Sequence, residues 1–335
     1  MKILCLTSWI PSGRWLWDYI PGNTDLVDFV YITHPKDRFP GYGKLLGYYQ
    51  KFFYLAIKAL PRLADYDVIV AWEGNAGLPI AFFRTLLRKT KPPMVILNFV
   101  LKGKPIFKTL GAVRYALCSV DCITCLSEGE IAYNAALLQQ PSAKFVKLQG
   151  PYIDLDDGSP SRSSLNDYIF AAGRSHRDYG TLMEAVSDLP IKLIINARAF
   201  NVQGLTPPPN VTINPFLPPM EFHRLLRDAR FAVVPLFEAK HASGETFMTQ
   251  AMSLERAVIV TRTYSTAEMI EDGVSGLLVP PGDVVAMRAA IRRLLDDPDL
   301  VKRLGKKARS EYLSHWSFPA VASQVHQIVS RMVAQ

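Results

Sequence analysis

The densest run of residues able to do chemistry extends from Leu236 to Asp283, LFEAKHASGETFMTQAMSLERAVIVTRTYSTAEMIEDGVSGLLVPPGD. Within it, His241-Ala242-Ser243-Gly244 is small and polar, and Ser243 is a good N-cap for the helix that follows. Free amides and the positive end of a helix dipole at that point favour an anion such as phosphate. The plainer alternative is that Ser243-Gly244 only starts a helix. A second candidate is the C-x3-C-x2-C run of Cys118, Cys122 and Cys125. It has no histidines close by, and Cys122 and Cys125 fall in the apolar stretch Asp121 to Leu126. Buried strand thiols account for them, and no metal site is expected.

Further along the same run stand Gln250-Ala251-Met252-Ser253, then Ala257-Val258-Ile259-Val260-Thr261, then Gly273-Val274-Ser275-Gly276-Leu277-Leu278-Val279-Pro280-Pro281-Gly282-Asp283. Their order resembles the C-terminal domain of retaining glycosyltransferases of the GT-B fold, family 4. Members carry a helix with a Glu-Ala-Met-Ala-like run, a small-residue turn, "PVI", and a "GxxGLLVPPGD" segment. The resemblance implies a fold class of two Rossmann-like, doubly wound parallel-sheet α/β domains facing a cleft. It implies a retaining, metal-independent transfer of a sugar from a UDP- or GDP-linked donor. The acceptor would be a glycan or a lipid-linked sugar, and no cofactor beyond the nucleotide-sugar is needed.

The resemblance also places residues. Arg174 matches the arginine of a Gly-Arg pair that holds the donor diphosphate. The family's lysine position falls on Tyr179, so Arg177, with Lys240 behind it, is the expected substitute. A guanidinium suits a diphosphate because its fork donates two parallel hydrogen bonds. Ser243 and Gly244 add amides, Thr246 lies in the same helix start, and the Phe216 turn is expected near the base. The family's Glu-x7-Glu pair is altered: the second position is Gln250 and the first is Ala242. Gln250 can still bond ribose hydroxyls. Glu245 either takes over the sugar contact or is a first-turn acid favouring the helix dipole. The family's catalytic histidine is replaced by Leu97-Asn98-Phe99, leaving Glu73 and Asp18 as candidates for taking the acceptor proton. His176 and His241 flank the expected phosphate site. There is no Asp-x-Asp run of the kind metal-dependent transferases use.

The elements that must position these residues alternate along the chain. Strands are expected at Lys2 to Thr7, Phe29 to Thr33, Asp67 to Ala71, Met94 to Val100, Asp121 to Leu126, Lys144 to Leu148, Tyr168 to Ala172, Lys192 to Asn196, Val211 to Ile213 and Phe231 to Val234. Many are unbroken apolar runs, as in parallel sheets covered on both faces. Ligands then bind beyond the strands' carboxyl ends, which marks Ser8, Trp9, Trp72, Glu73, Asn75, Asn98 and Ser127 by position. The expected domains are 1–154 for the acceptor, a Ser/Asp/Gly-rich linker at 155–166, and 167–315 for the donor. A final helix, 316–335, is expected to cross back to the first domain.

Gly43 to Leu60 is expected to be a helix, apolar and aromatic almost all round, with Lys44, Lys51 and Lys58 on one stripe. It is either a core helix with a solvated lysine edge or a helix lying on an anionic bilayer. The basic, apolar loop from Val100 to Lys108 has the same two readings. The chain's 335 residues carry a formal charge of +8. That balance admits anionic lipid and phosphorylated substrates, whereas no nucleic-acid motif is present. No apolar run has transmembrane length, so a cytoplasmic protein is expected, either free or peripheral on the inner membrane face. Two rival functions keep the same architecture: a sugar-nucleotide epimerase, and a degenerate, non-catalytic nucleotide or partner binder.

Overall fold

The computed structural model describes residues 1–9, 11–31, 44–99, 110–156, 158, 167–238 and 242–335, with side chains throughout except at 44–51. The chain divides into two compact units, Met1–Gly150 with Phe318–Gln335, and Pro151–Ser317.

The first unit contains β1 (Lys2–Thr7), β2 (Leu26–Tyr31), α1 (Lys44–Ala59), β3 (Val68–Trp72), α2 (Gly74–Leu86), β4 (Met94–Leu97), α3 (Leu110–Leu117), β5 (Cys122–Cys125), α4 (Glu128–Leu138) and β6 (Phe145–Lys147). Its strands form one parallel sheet in the order β2-β1-β3-β4-β5-β6. Alternation sends Leu4, Leu6, Ile69, Ala71 and Ile96 to one face, packed with Phe52, Leu55 and Ala56 of α1 and Ile80 of α2. Ile3, Cys5, Val68, Val70, Val95 and Leu97 go to the other face. Both faces are dry, which is why these strands read as continuous apolar runs. The edge strand β2 differs. Val30 is its one fully buried residue, and it starts at Leu26 instead of the expected Phe29. An edge strand half in water carries little of the apolar signal used to find it.

The second unit contains β7 (Tyr168–Ala172), α5 (Tyr179–Val186), β8 (Lys192–Asn196), β9 (Val211–Asn214), α6 (Pro219–Asp228), β10 (Ala232–Val234), α7 (Glu245–Ser253), β11 (Val258–Thr261), α8 (Thr266–Met269), β12 (Leu277–Val279), α9 (Val284–Asp296) and α10 (Pro298–His315). These strands are again parallel, in the order β12-β11-β10-β7-β8-β9. The chain joins this unit before the expected linker. The Tyr152 amide donates to Trp316 O at 3.0 Å. The Arg309 guanidinium meets Asp154 at 2.7 Å. Residues 151–156 are thus laid on the second unit, and the rest of the expected linker lies outside the described residues except Gly158.

The last helix, α11 (Phe318–Val333), belongs to the first unit. Val321, Ala322, Val325 and Val329 cover the sheet face that carries Ile3, Cys5 and Val70. Each fully buried valine is worth roughly 1.5–3 kcal/mol relative to exposure, so this face needs the returning helix. In both sheets the first strand sits between its two successors in opposite directions: β1 between β2 and β3, β7 between β8 and β10. Such reversals of strand order open crevices outside the carboxyl ends.

Helix α1 occupies the expected 43–60 stretch. Phe52, Leu55, Ala56 and Ala59 are core, whereas Tyr54, Ile57 and Lys58 are exposed, Ile57 by 60%. The side chains of Lys44 and Lys51, and the loop 100–108, lie outside the described residues. Among the described residues no helix is long and apolar enough to cross a membrane. Cys122 and Cys125 are buried thiols on β5, and burial pushes their pKa values up to about 12 and about 11.

Candidate functional site

Strand β7 ends at Ala172 and feeds the loop Gly173-Arg174-Ser175-His176-Arg177. Gly173 has φ +123°, and a Cβ there would collide with the Arg177 guanidinium. Arg177 Nε donates to Ala172 O at 2.9 Å and Nη1 to Ser175 O at 2.8 Å. The Tyr179 hydroxyl donates to Gly173 O at 2.7 Å. Arg177 is buried, and desolvation pulls its pKa below the ordinary value, opposed by the nearby Tyr179 and Glu245. It therefore braces the loop from inside, at the position expected to supply the second cation. Tyr179, at the family's lysine position, is an equally buried brace. The loop is also clipped across the β7/β10 reversal. Arg177 bridges Leu236, and the Phe237 amide donates to His176 O at 2.9 Å. Arg174 is left pointing outward, exposed, with its carbonyl fixed by Asn201 Nδ2 at 2.7 Å.

Helix α7 starts one residue later than expected. Its N-cap is Gly244, at φ +102° with no side-chain cap. A Cβ at this position would stand 3.0 Å from Val234 Cγ1 and 3.1 Å from Leu236 Cδ1. Close approach to β10 and the positive φ both demand glycine here. Ser243 is consequently not the N-cap: it is buried, with Oγ 3.4 Å from His176 Nδ1. That contact brings the arginine loop and the α7 start together. First-turn amides of α7 have no intrahelical partner. Glu245 is buried and accepts from Ser265 Oγ at 2.6 Å, so the helix's first acid is pinned to the loop before α8. Thr246 is exposed on the first turn and Gln250 half-buried on the next, while Ala242 is buried. Lys240 and His241 lie outside the described residues.

Beside this loop, at the carboxyl ends of β7, β8 and β9, is a cavity of about 880 Å³. It is lined by Arg174, Ser175, Arg198, Ala199, Phe200, Pro215 and Phe216. Phe200 and Phe216 are 65% and 66% exposed, a wasteful position for two large apolar rings unless something covers them. Arg198 is exposed, and among the described residues neither it nor Arg174 forms an ion pair. Two unpaired guanidiniums beside two open aromatic faces can hold a charged, aromatic molecule: rings stack on the phenylalanines and phosphate oxygens accept from the arginines. Of these cavity residues, the sequence singled out Arg174 and Phe216 but not Arg198 and Phe200. The available signal was an Arg-Ala-Phe run directly after a strand end.

Glu73 belongs to the other unit. It follows β3 as the N-cap of α2, at φ 74° and ψ 149°. Asp18 is engaged by Arg14 Nε at 3.0 Å and by the Arg14 amide at 2.7 Å. It fixes the loop after β1 and is not a free base. Among the described residues no group of three His, Cys, Asp or Glu side chains is placed to hold a metal ion.

Comparison with known proteins places this arrangement. Residues 191–297 match the family model described as Glycosyl transferases group 1, which bears out the resemblance read from Leu236 to Asp283. The chain is 32% identical over 76 residues to alpha-D-kanosaminyltransferase of Streptomyces kanamyceticus, a match covering 23% of this chain and 20% of that protein. It is 23% identical over 283 residues to O-antigen chain mannosyltransferase C of Escherichia coli, covering 77% of this chain and 74% of the relative. The chain thus spans about a fifth of the first relative and about three quarters of the second. Among solved structures, Anabaena HepE in complex with UDP aligns with TM-score 0.71 at 15% identity, over 99% of this chain and 100% of that one. Sucrose-phosphate synthase from Thermosynechococcus elongatus aligns with TM-score 0.71 at 19% identity, over 99% of both chains. The fold is the two-domain α/β GT-B fold.

Proposed function

We propose that this chain, which carries the group 1 glycosyltransferase segment in its second unit, is itself a glycosyltransferase with a nucleoside-diphosphate-sugar donor. The observation that carries the reading is the pairing of Arg174 and Arg198 with Phe200 and Phe216 around one cavity, next to the loop whose His176 meets Ser243 ahead of α7. The base stacks on a phenylalanine face, and the diphosphate lies toward the arginines and the α7 amides. As the bond to the sugar breaks, negative charge grows on the leaving diphosphate. Fixed guanidinium and amide donors stabilise that charge without reorganising. The reaction retains anomeric configuration and needs no metal, because cations and a helix end already balance the diphosphate.

The acceptor, a glycan or lipid-linked sugar, is assigned to the first unit, with Glu73 to receive its hydroxyl proton. Exposed Tyr54, Ile57 and Lys58 on α1 support a weak association with anionic membrane. Replacing Lys44, Lys51 and Lys58 together by alanine should reduce binding to phosphatidylglycerol vesicles, and unchanged binding would remove the membrane from the account. Ala242 and Gln250, in place of the family's paired glutamates, favour the rival of a non-catalytic nucleotide binder.

Incubation with UDP- and GDP-hexoses, with and without oligosaccharide acceptors, separates these. The transferase reading expects nucleoside diphosphate release, a product of retained configuration by NMR, and a rate unchanged by EDTA. Nucleotide binding without turnover of any donor would select the non-catalytic alternative.

A further inference from the structure

At the β1/β3 reversal the first unit gathers three tryptophans. Trp9 follows β1, Trp72 ends β3, and Trp15 lies in the loop between β1 and β2. Their ring centroids are 4.6 Å apart for Trp15–Trp72, 5.6 Å for Trp9–Trp15 and 6.0 Å for Trp9–Trp72. The interplanar angles are 89°, 80° and 87°, so the three indoles stand mutually near perpendicular, like the planes of a corner. All three are only half-buried, whereas Trp17 in the same loop is 0% exposed and packs into the core. The chain thus sinks Trp17 fully and leaves Trp9, Trp15 and Trp72 each partly exposed, with Trp15 and Trp72 packed at the margin of the same core.

The backbone at this edge is strained as well. Among the described residues, seven other than glycine have positive φ. Arg88, Gln139 and Glu255 lie at or just past helix C-termini, a routine place for such angles. Trp15, at φ 55°, Glu73, at φ 74° and ψ 149°, Asn98 and His176 are not. The Glu73 conformation belongs to a region that is essentially glycine's. It is held by the Glu73 amide donating to Leu97 O at 2.8 Å and by the Gly77 amide donating to Glu73 O at 3.2 Å. Trp9 is tied by its carbonyl to Thr7 Oγ1 at 2.7 Å, and the Arg14–Asp18 pair closes the Trp15 loop. Such strain persists where the surroundings over-determine a functional geometry.

We propose that Trp9, Trp15 and Trp72, with Glu73, form a binding site for one pyranose ring of a glycan acceptor. A pyranose presents an apolar C–H face and a rim of hydroxyls. The C–H face packs on an indole, and the carboxylate of Glu73, the residue next to Trp72, accepts from the hydroxyl rim. Tryptophan supplies a large rigid apolar surface with a polar N–H at its edge, which matches that mixed chemistry. A carboxylate one residue from Trp72 in the chain favours hydroxyl donors and disfavours an anionic headgroup. The word acceptor rests on the glycosyltransferase reading, but the sugar site itself does not.

The test uses the full chain with indole-labelled tryptophan, whose five residues give five resolvable NMR signals. Mannotriose, maltotriose, cellotriose and chitotriose are titrated separately to millimolar concentration. At least one should move the signals of Trp9, Trp15 and Trp72 while leaving Trp17 and Trp316 in place. Trp72→Ala should weaken that binding more than tenfold, and Trp72→Phe, which keeps a ring, should restore most of it. The proposal is overturned if no trisaccharide moves the three indoles, or if Trp72→Ala binds as well as the parent. It is equally overturned if phosphatidylglycerol vesicles alone move them, which would assign the corner to lipid. A separate UDP and GDP titration reads the second unit. Its failure would sink the donor reading and leave the sugar result standing.

Discussion

The two sheets reverse strand order in the same way, yet their crevices are furnished with opposite chemistry. At the β7/β10 reversal the chain puts Gly173, Arg174, Ser175, Ser243 and Gly244: small residues, open amides and a cation. At the β1/β3 reversal it puts Trp9, Trp15, Trp72 and Glu73: flat apolar rings and a carboxylate. One topology recurs with two different sets of side chains, and side-chain type decides what such a strand reversal is able to bind. The first set suits a diphosphate, whose charge needs fixed donors. The second suits a neutral polyol, whose C–H face needs a surface.

The sharpest way to break this contrast is at Arg174. Arg174→Ala should lower sugar transfer roughly 10²–10³-fold, the usual loss for one preorganised donor, with an unchanged unfolding curve. A loss of stability instead would make Arg174 structural. Arg177→Ala should do the reverse. It leaves the Ala172 and Ser175 carbonyls without their partner and should cost about 2–3 kcal/mol in urea unfolding, at the level of buried hydrogen bonds to a charged group. Unaltered stability with lost nucleotide affinity would return Arg177 to the ligand-binding set. Phe200→Ala and Phe216→Ala should each weaken nucleotide binding by about 1–3 kcal/mol if they stack on the base. Inorganic pyrophosphate, which has no base, should bind both variants as it binds the parent. Smallest is Val325→Ala on α11, with an expected loss of about 1–2 kcal/mol of stability for a truncated core valine and no change in nucleotide affinity.

Much of this frame was legible in the sequence, for identifiable reasons. Strands β1, β7 and β8 fall at their expected bounds because sheets buried on both faces leave continuous apolar runs. Edge strand β2 was displaced because half of it faces water. The start of α7 was misplaced by one residue. A serine is the better cap by local preference, but the spot lies too close to Val234 and Leu236 for any side chain. The burial of Arg177 was not legible, because charge in a phosphate-like loop reads the same whether it points in or out. Arg198 and Phe200 were missed because their meeting with Arg174 depends on β7 and β8 being neighbours. The tryptophan corner likewise joins residues far apart in the chain, so only position near strand ends marked Trp9 and Trp72 beforehand.

The central claim is that the second unit grips a nucleoside diphosphate through Arg174, Arg198 and the α7 amides. Thermal unfolding with saturating UDP and GDP tests it most directly, since a ligand at a hundredfold excess over Kd adds about 2.7 kcal/mol to stability. One of the two nucleotides should raise Tm by several degrees in the parent, and the Arg174→Ala, Arg198→Ala double variant should lose that rise while its own Tm without ligand stays put. No rise in the parent with either nucleotide, or an equal rise in the double variant, would contradict the account.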